Sequence, residues 1–434
     1  VLILRAEVEG RLIDVRVRGE RVAELGELRP ERGETVVEAR GGALLPGLHD
    51  HHLHLLSLAA AASSVRCGPP EVRDLDGLAR ALRSADGAVR GIGYHESVAG
   101  ILDRHALDRL VADRPVRVQH RGGALWMLNT RALAEAGLTE RFPDGRLWRA
   151  DELLRGSQPP PDLAAVGGRL SALGITGVTD AAPRLSEDTV RLLTGGALPQ
   201  RLHLLGAPTG AELPPGVTVG PWKILRPDHE PPDWDALREE ITRVHAGGRA
   251  VAVHSVTRES LIVTLAVLAE VGSVPGDRIE HAAVVGEDAF PLLAGIGPVV
   301  VTQPAFVTER EPEYRRDIPA DEHADLYRYA SLLDAGVRVA PSSDAPYADV
   351  DPWRTIAAAA TRQLGPAERV SPSRVLAGYL APLSDPGGPA RRITAGAPAD
   401  LCLLRVPLAE ALMEPDAGAV AVTVSRGRVL FPAP

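Results

Sequence analysis

Residues 44–55 read Leu44-Leu-Pro-Gly-Leu-His-Asp-His-His-Leu-His-Leu55. Four of the chain's thirteen histidines fall within six consecutive positions here, and an apolar run leads into them. A strand projects residues i, i+2 and i+4 from one face. As a strand, this stretch puts Asp50, His52 and His54 on one face and turns His49 and His51 the other way. Two imidazoles two positions apart on a rigid strand end can hold one metal ion, because neutral imidazole is a common ligand for zinc and its neighbours. Alone, a His-x-His pair is a weak signal, and its weight depends on what lies downstream.

Downstream, apolar strand-like runs alternate with Ala/Leu/Arg-rich helical segments. The strand candidates are Val116-Arg-Val-Gln-His, Ile175-Thr-Gly-Val-Thr-Asp, Arg201-Leu-His-Leu-Leu, Trp222-Lys-Ile-Leu, Ala250-Val-Ala-Val-His, Arg278-Ile-Glu-His, Val299-Val-Val-Thr-Gln and Val337-Arg-Val-Ala-Pro-Ser-Ser-Asp. Helices are expected over 235–245 and 258–271, between several of these strands. Such alternation predicts an α/β protein with a parallel sheet, best accommodated by a (β/α)8 TIM barrel. With the opening run there are nine candidates for eight places, so either the Val116 run or Arg201 to Leu205 is an extra. Both chain ends read differently, as short strands divided by Gly and charged turns. They predict a small β-sandwich domain formed from both chain termini, with residues 1–46 and 391–434 enclosing a barrel over 47–390.

At 434 residues, 45% apolar and 24% charged, the chain has the size and composition of a soluble globular protein with one large and one smaller domain. Its formal charge of −9, with acids scattered and not in runs, disfavours nucleic acid, which requires a basic face. No apolar run has the length of a membrane span, and no basic-then-apolar leader opens the sequence. Cys67 and Cys402 are the only cysteines, too few and too far apart for a disulfide framework or a thiolate zinc site. A reduced, cytoplasmic protein is expected. Among 48 basic residues there is a single lysine, Lys223; all others are arginine. A coding bias that replaces surface lysines cannot replace one whose neutral amine is used, because guanidinium stays protonated.

Five strand candidates end in residues able to bind metal or move protons: His52 with His54, Lys223, His254, His281 and Asp344. In a barrel all of these ends face one rim, where active sites lie. Individually, His254 and His281 read equally well as satisfied core histidines, and Asp344 in Ser-Ser-Asp-Ala-Pro as a cap or turn residue. Together, five coincidences at strand ends are harder to accept than one shared cause.

The chain resembles the amidohydrolase superfamily, and within it the YtcJ-like branch that includes N-substituted formamide deformylase. The resemblance rests on Pro46-Gly-Leu-His-Asp-His-His-Leu-His, Trp126-Met-Leu-Asn-Thr-Arg-Ala-Leu-Ala-Glu-Ala-Gly-Leu, Gly174-Ile-Thr-Gly-Val-Thr-Asp, Val253-His-Ser, Arg278-Ile-Glu-His, Gln303-Pro304, Ser343-Asp-Ala-Pro and the closing Ala397-Pro-Ala-Asp-Leu and Thr423-Val-Ser-Arg-Gly-Arg. It implies a hydrolase of non-peptide carbon–nitrogen bonds that acts on a small-molecule amide, an N-formyl or N-acyl amine, with two divalent ions, zinc first among them. By that resemblance His52, His54 and Asp344 would bind one ion and His254 and His281 the other. Lys223 would carry a CO2-derived carbamate bridging both. Such ions lower the pKa of a water and polarise the scissile carbonyl. Asp344 would take the water's proton and return it to the leaving nitrogen. His120 or Gln303, also at strand ends, are candidate donors to the oxyanion and substrate. A homo-oligomer is compatible with all of this.

The chain also departs from the branch. Gly122-Gly-Ala124 stands where a histidine commonly precedes the Trp, and after Lys223 the sequence runs Arg226-Pro-Asp-His-Glu-Pro-Pro and moves on without a long insertion. Both differences bear on the substrate, not on the metal ligands. His95 does not complete a His-Glu-x-x-His motif, since Ala99 occupies the second His position. Two rival functions remain. A mononuclear deaminase of a heterocyclic amine would favour a glutamate two residues past His254, where Val256 stands. A catalytically inactive barrel serving as an assembly module would be expected to have lost ligands.

Overall fold

The computed structural model describes residues 1–154, 161–226 and 230–432; Pro227 to His229, within the run that follows Lys223, lie outside the described residues. The chain divides into two compact units, one of residues 1–55 with 163–434, the other of residues 56–162.

The first unit is built on parallel strands. Leu48–Leu53, Ile175–Asp180, Arg201–Leu204 and Val217–Val219 pair side by side in that order. Trp222–Ile224, Val251–Ser255, Arg278–His281, Val299–Thr302 and Val339–Pro341 form a second parallel series. Only Gly220 and Pro221 separate the last strand of one series from the first of the other. At the opposite edges, the Asp344 N–H donates to the His52 carbonyl at 2.8 Å and the His54 N–H to the Ala345 carbonyl at 2.9 Å. Strands covered on both faces read as continuous apolar runs, as in the fully buried Val299-Val-Val-Thr302. Leu48–Leu53 is just as buried yet carries three histidines and an aspartate. Polar groups in such a place require partners.

Helices follow the strands that carry site residues. Asp233 caps Trp234–Ala246 by accepting from the Ala236 N–H, and the helix buries Leu237, Ile241 and Val244 on one face. Thr257 and Ser260 form a reciprocal capping box on Arg258–Val271, three residues after His254. Each such cap is worth about 1 kcal/mol, and together they fix where the Lys223 and His254 strands give way to helix.

The two chain ends form two four-stranded sheets. Leu2–Val8, Arg11–Arg18 and Arg21–Gly26 run antiparallel, with Val36–Glu38 parallel to the first. Leu44–Pro46 joins the C-terminal strands Leu401–Leu404, Val420–Ser425 and Arg428–Phe431. Ile3, Val15 and Val22 of one sheet share a buried cluster with Leu44, Leu401 and Val424 of the other. At about 1.5–3 kcal/mol for each buried aliphatic side chain, this shared cluster is what binds the two ends of the chain together.

The second unit carries a five-stranded sheet in the order Arg146–Trp148, Leu125–Leu128, Val116–His120, Val89–Tyr94 and Val65–Arg66. Its own apolar core includes Leu78, Leu82, Tyr94, Leu107, Val118 and Met127. The Val116 run is therefore the ninth strand candidate, and Arg201–Leu204 takes its place in the parallel series. Asn129, from the Trp126-Met-Leu-Asn stretch, caps Thr130–Glu135. Its amide also accepts from the Val116 N–H and donates to the carbonyls of Val111 and Arg114. That residue is wholly occupied with backbone.

Candidate metal centre

Strand alternation brings His52 and His54 to one side, with ring centroids 5.4 Å apart. Asp344 reaches both: its Oδ1 lies 3.4 Å from His52 Nε2 and 3.2 Å from His54 Nε2. Ligand atoms of these three residues all lie within 4.8 Å of one another, the one such group of three among the described residues. His281 joins from the next series, its ring centroid 4.8 Å from that of His52 and 4.6 Å from that of His254. Both His281 and Asp344 have left-handed backbones, with φ of 73° and 54°. Such conformations are costly for residues other than glycine and cluster at functional sites.

The protonation states suit a cation. Burial lowers His52 to about 4, aided by the nearby Lys223 charge, and pushes His281 well below its ordinary value. Both imidazoles are neutral at pH 7. Burial acts to raise Asp344, but the facing imidazoles of His54, His52 and His281 outweigh it and hold the carboxyl below its usual range. The Asp344–imidazole contacts are close but poorly aligned, leaving His52 Nε2 and Asp344 Oδ1 buried without a hydrogen-bond partner. Two orphaned electron-pair donors facing each other are costly alone, and a cation between them removes the cost.

Orienting hydrogen bonds complete the picture. His52 Nδ1 is bonded to Glu280 Oε2, and Glu280 to Arg278 Nε. Arg278 Nη2 donates to the His51 carbonyl at 2.7 Å. Burial acts to raise the Glu280 carboxyl, but Arg278, Lys223 and His52 hold it well below its ordinary value. Ionised, it can only accept, so His52 Nδ1 carries the hydrogen and Nε2 the lone pair. Gln303 does the same for His281: its Oε1 accepts from Nδ1 at 2.8 Å while its Nε2 donates to Ser342 Oγ at 2.9 Å. Metal-ligating histidines are held in this way. The donor set fits divalent ions.

Lys223 is buried at the centre of its strand, paired in register with Ala252 and one step from the Val253 neighbour of His254. Its charge acts on His52, Glu280 and His281, which places it among them. Gln303 is fully buried, with its amide oxygen on His281 Nδ1 and its amide nitrogen on Ser342 Oγ. His120 lies in the second unit, where its Nε2 contacts Glu96 Oε2 at 2.9 Å and its Nδ1 accepts from the Gly122 N–H at 3.1 Å. Beside it, His95 is buried. Its Nδ1 accepts from the Ser97 N–H at 3.2 Å and its Nε2 lies 3.4 Å from the same Glu96 oxygen.

Sequence reasoning passed over Glu280, Arg278 and Asp50. Asp50 Oδ1 accepts from the backbone of His52 and of Ser343, and burial pushes its carboxyl up to about 6. The signal was present: alternation puts Asp50 on the His52 face without giving it a role, and Glu280 stands beside His281 and two positions from Arg278, three polar residues in one fully buried four-residue strand.

The model of the amidohydrolase family matches residues 35–431. The putative amidohydrolase YtcJ of Bacillus subtilis (strain 168) is 24% identical, over 77% of this chain and 76% of its own length. Among solved structures, an uncharacterized metal-dependent hydrolase from Pyrococcus horikoshii OT3 superposes with a TM-score of 0.72 at 18% identity, covering 99% of both chains. Atrazine chlorohydrolase TrzN from Arthrobacter aurescens TC1, complexed with zinc, superposes with a TM-score of 0.60 at 14% identity, covering 99% of this chain and 94% of its own.

Proposed function

The chain belongs to the amidohydrolase family and is a hydrolase, and from that premise we propose that it cleaves a non-peptide carbon–nitrogen bond of a small-molecule amide, an N-formyl or N-acyl amine, using two divalent ions, zinc first among them. The scaffold in this proposal is a (β/α)8 barrel over 47–390 whose eight strands are those of the two parallel series other than the short Val217–Val219, with a β-sandwich from residues 1–46 and 391–434. The observation that carries it is the convergence of His52, His54 and Asp344 with their ligand atoms within 4.8 Å. His52 and His281 are also turned to present Nε2. His and carboxylate donors suit zinc.

His52, His54 and Asp344 would hold one ion and His254 with His281 the other. A carbamate on Lys223 would join them. Supporting it, Lys223 is the sole lysine of the chain and is buried among these ligands. Such ions, when bound, lower the pKa of water and polarise a carbonyl. Asp344, ionised at pH 7, accepts the proton of the attacking water on its carboxylate and delivers it to the leaving nitrogen. Gln303 and Ser342 keep the His281 ring from turning during the cycle. The buried, unpaired thiols of Cys67 and Cys402 agree with a reducing compartment such as the cytoplasm.

Elemental analysis of protein purified without chelators and supplied with bicarbonate tests this. About two divalent ions per chain are expected by the proposal, falling in Lys223→Arg together with amine release from an amide panel. One ion per chain with Lys223→Arg unaffected would move the assignment to a mononuclear deaminase. No ion after reconstitution would leave an inactive barrel.

A further inference from the structure

Two candidate ligands have a partner that orients the ring, Glu280 for His52 and Gln303 for His281, and the first of these partners is unlike the second. Glu280 is a carboxylate with no exposed surface, ion-paired to Arg278, in a site where Asp344 already supplies the carboxylate beside His52 and His54. Burying a carboxylate costs several kcal/mol unless it is paired, so its retention calls for a task. Three contacts describe that task. Glu280 accepts from His52 Nδ1 through one oxygen and from Arg278 Nε through the other. Arg278, 1% exposed, reaches across from its strand to donate to the carbonyl of His51, the residue immediately before His52. One buried unit thus grips both the backbone and the ring of His52.

We propose that Glu280, braced by Arg278, is the positioning residue of the centre: it fixes His52 as the Nδ1–H tautomer and aims its Nε2 lone pair at the ion shared with His54 and Asp344. The proposal rests on the metal-hydrolase assignment for its purpose, but the tautomer it specifies belongs to the protein alone. Neutral imidazole has nearly equal tautomers in water, and a ring free to exchange them presents a lone pair at Nε2 only part of the time. An ionised acceptor at Nδ1 removes that freedom and strengthens the ring as a donor. A neutral amide at position 280 would keep the shape but lose both the charge and the salt bridge to Arg278.

The test uses the full chain labelled with ¹⁵N-histidine, wild type against Glu280→Gln and Glu280→Ala, with circular dichroism to confirm folding. In metal-free protein, the His52 ring nitrogens, assigned through His52→Gln, should report a protonated Nδ1 and bare Nε2 in wild type, and a mixture or the reverse in Glu280→Ala. Zinc affinity at the first site, measured by competition with a chromophoric chelator, should weaken about 10- to 100-fold in both variants. An unchanged tautomer with unchanged zinc affinity in the folded variants overturns the proposal. If wild type takes up no metal, the hydrolase assignment fails on its own, and the tautomer spectrum still decides the role of Glu280. Should Glu280→Ala not fold, Glu280→Gln and Arg278→Met carry the same comparison.

Discussion

Two groups of histidines around a carboxylate occur in this chain, one in each compact unit, and they are opposite in chemistry. In the first, His52 and His281 donate from Nδ1 to Glu280 and Gln303, which leaves Nε2 as a lone pair. In the second, His95 and His120 accept backbone N–H groups at Nδ1, from Ser97 and Gly122. An Nδ1 that accepts carries no hydrogen, which leaves the ring hydrogen to Nε2, and Nε2 of both rings faces Glu96; at His95 the Ser97 hydroxyl also meets Nδ1, at 2.8 Å. The second group has the composition of a metal site and the wrong tautomers for one. The difference teaches that counting imidazoles and carboxylates does not identify a metal centre; what the far nitrogen is bonded to does.

The largest effect should come where the first group does its chemistry. Asp344→Asn keeps the volume and suits the left-handed backbone at φ 54°, since asparagine tolerates that region. It cannot take up a proton. Turnover on an amide substrate should fall about 100- to 10,000-fold, with the folded state retained by circular dichroism. Near-wild-type turnover would remove Asp344 from the reaction and undo the contrast between the groups.

A smaller effect concerns how the first unit keeps its histidines neutral. Burial lowers His203 to about 3, with Arg278 and Arg249 adding to it, and His52 to about 4. Unfolded histidine titrates near 6.5. Between that value and the folded one, the unfolded chain binds more protons, so stability is full above pH 6.5 and declines as pH falls toward 4 and then 3. Each such histidine contributes at most about 1.4 kcal/mol per pH unit. Urea midpoints of metal-free protein from pH 7.5 to 4.5 should drop along this course, and His203→Gln should flatten it. An equally steep course in that variant would mean that His203 is not held neutral by burial.

Much of the first group was legible because its residues obey strand parity and strand ends. His52 and His54 share a face by alternation, His254 and His281 fall at or beside the ends of short strands, and Lys223 sits at the centre of the three-residue Trp222–Ile224. The division at residues 56–162 was not legible. That unit has an apolar core as ordinary as any other, and the one compositional break at its borders, Gly156-Ser-Gln-Pro-Pro-Pro161, marks its end and not its beginning. Its Val116 run therefore competed with Arg201–Leu204 for a place in the parallel series. Glu280 was hidden for a different reason: its partners Arg278 and His52 lie 2 and 228 positions away, and only the second gives it meaning. Tautomers are set by contacts of this kind, so they are invisible to spacing.

The smallest effect expected is the one that isolates the argument. Removing the second group's imidazoles, as His95→Gln and His120→Gln, or its carboxylate, as Glu96→Gln, should leave the metal content per chain unchanged, because Nε2–H has no lone pair to offer. The burial penalty on Glu96 is opposed by His120 and His95, and its carboxyl sits below the ordinary value. Losing either ring should thus cost the second unit some stability, seen as an earlier urea transition of that unit, while zinc stoichiometry by elemental analysis stays at the wild-type figure. If metal content instead drops in His95→Gln and His120→Gln alike, the backbone N–H groups of Ser97 and Gly122 do not dictate the tautomer. The rule that separates the two groups would then fail in the very place where composition alone calls them the same.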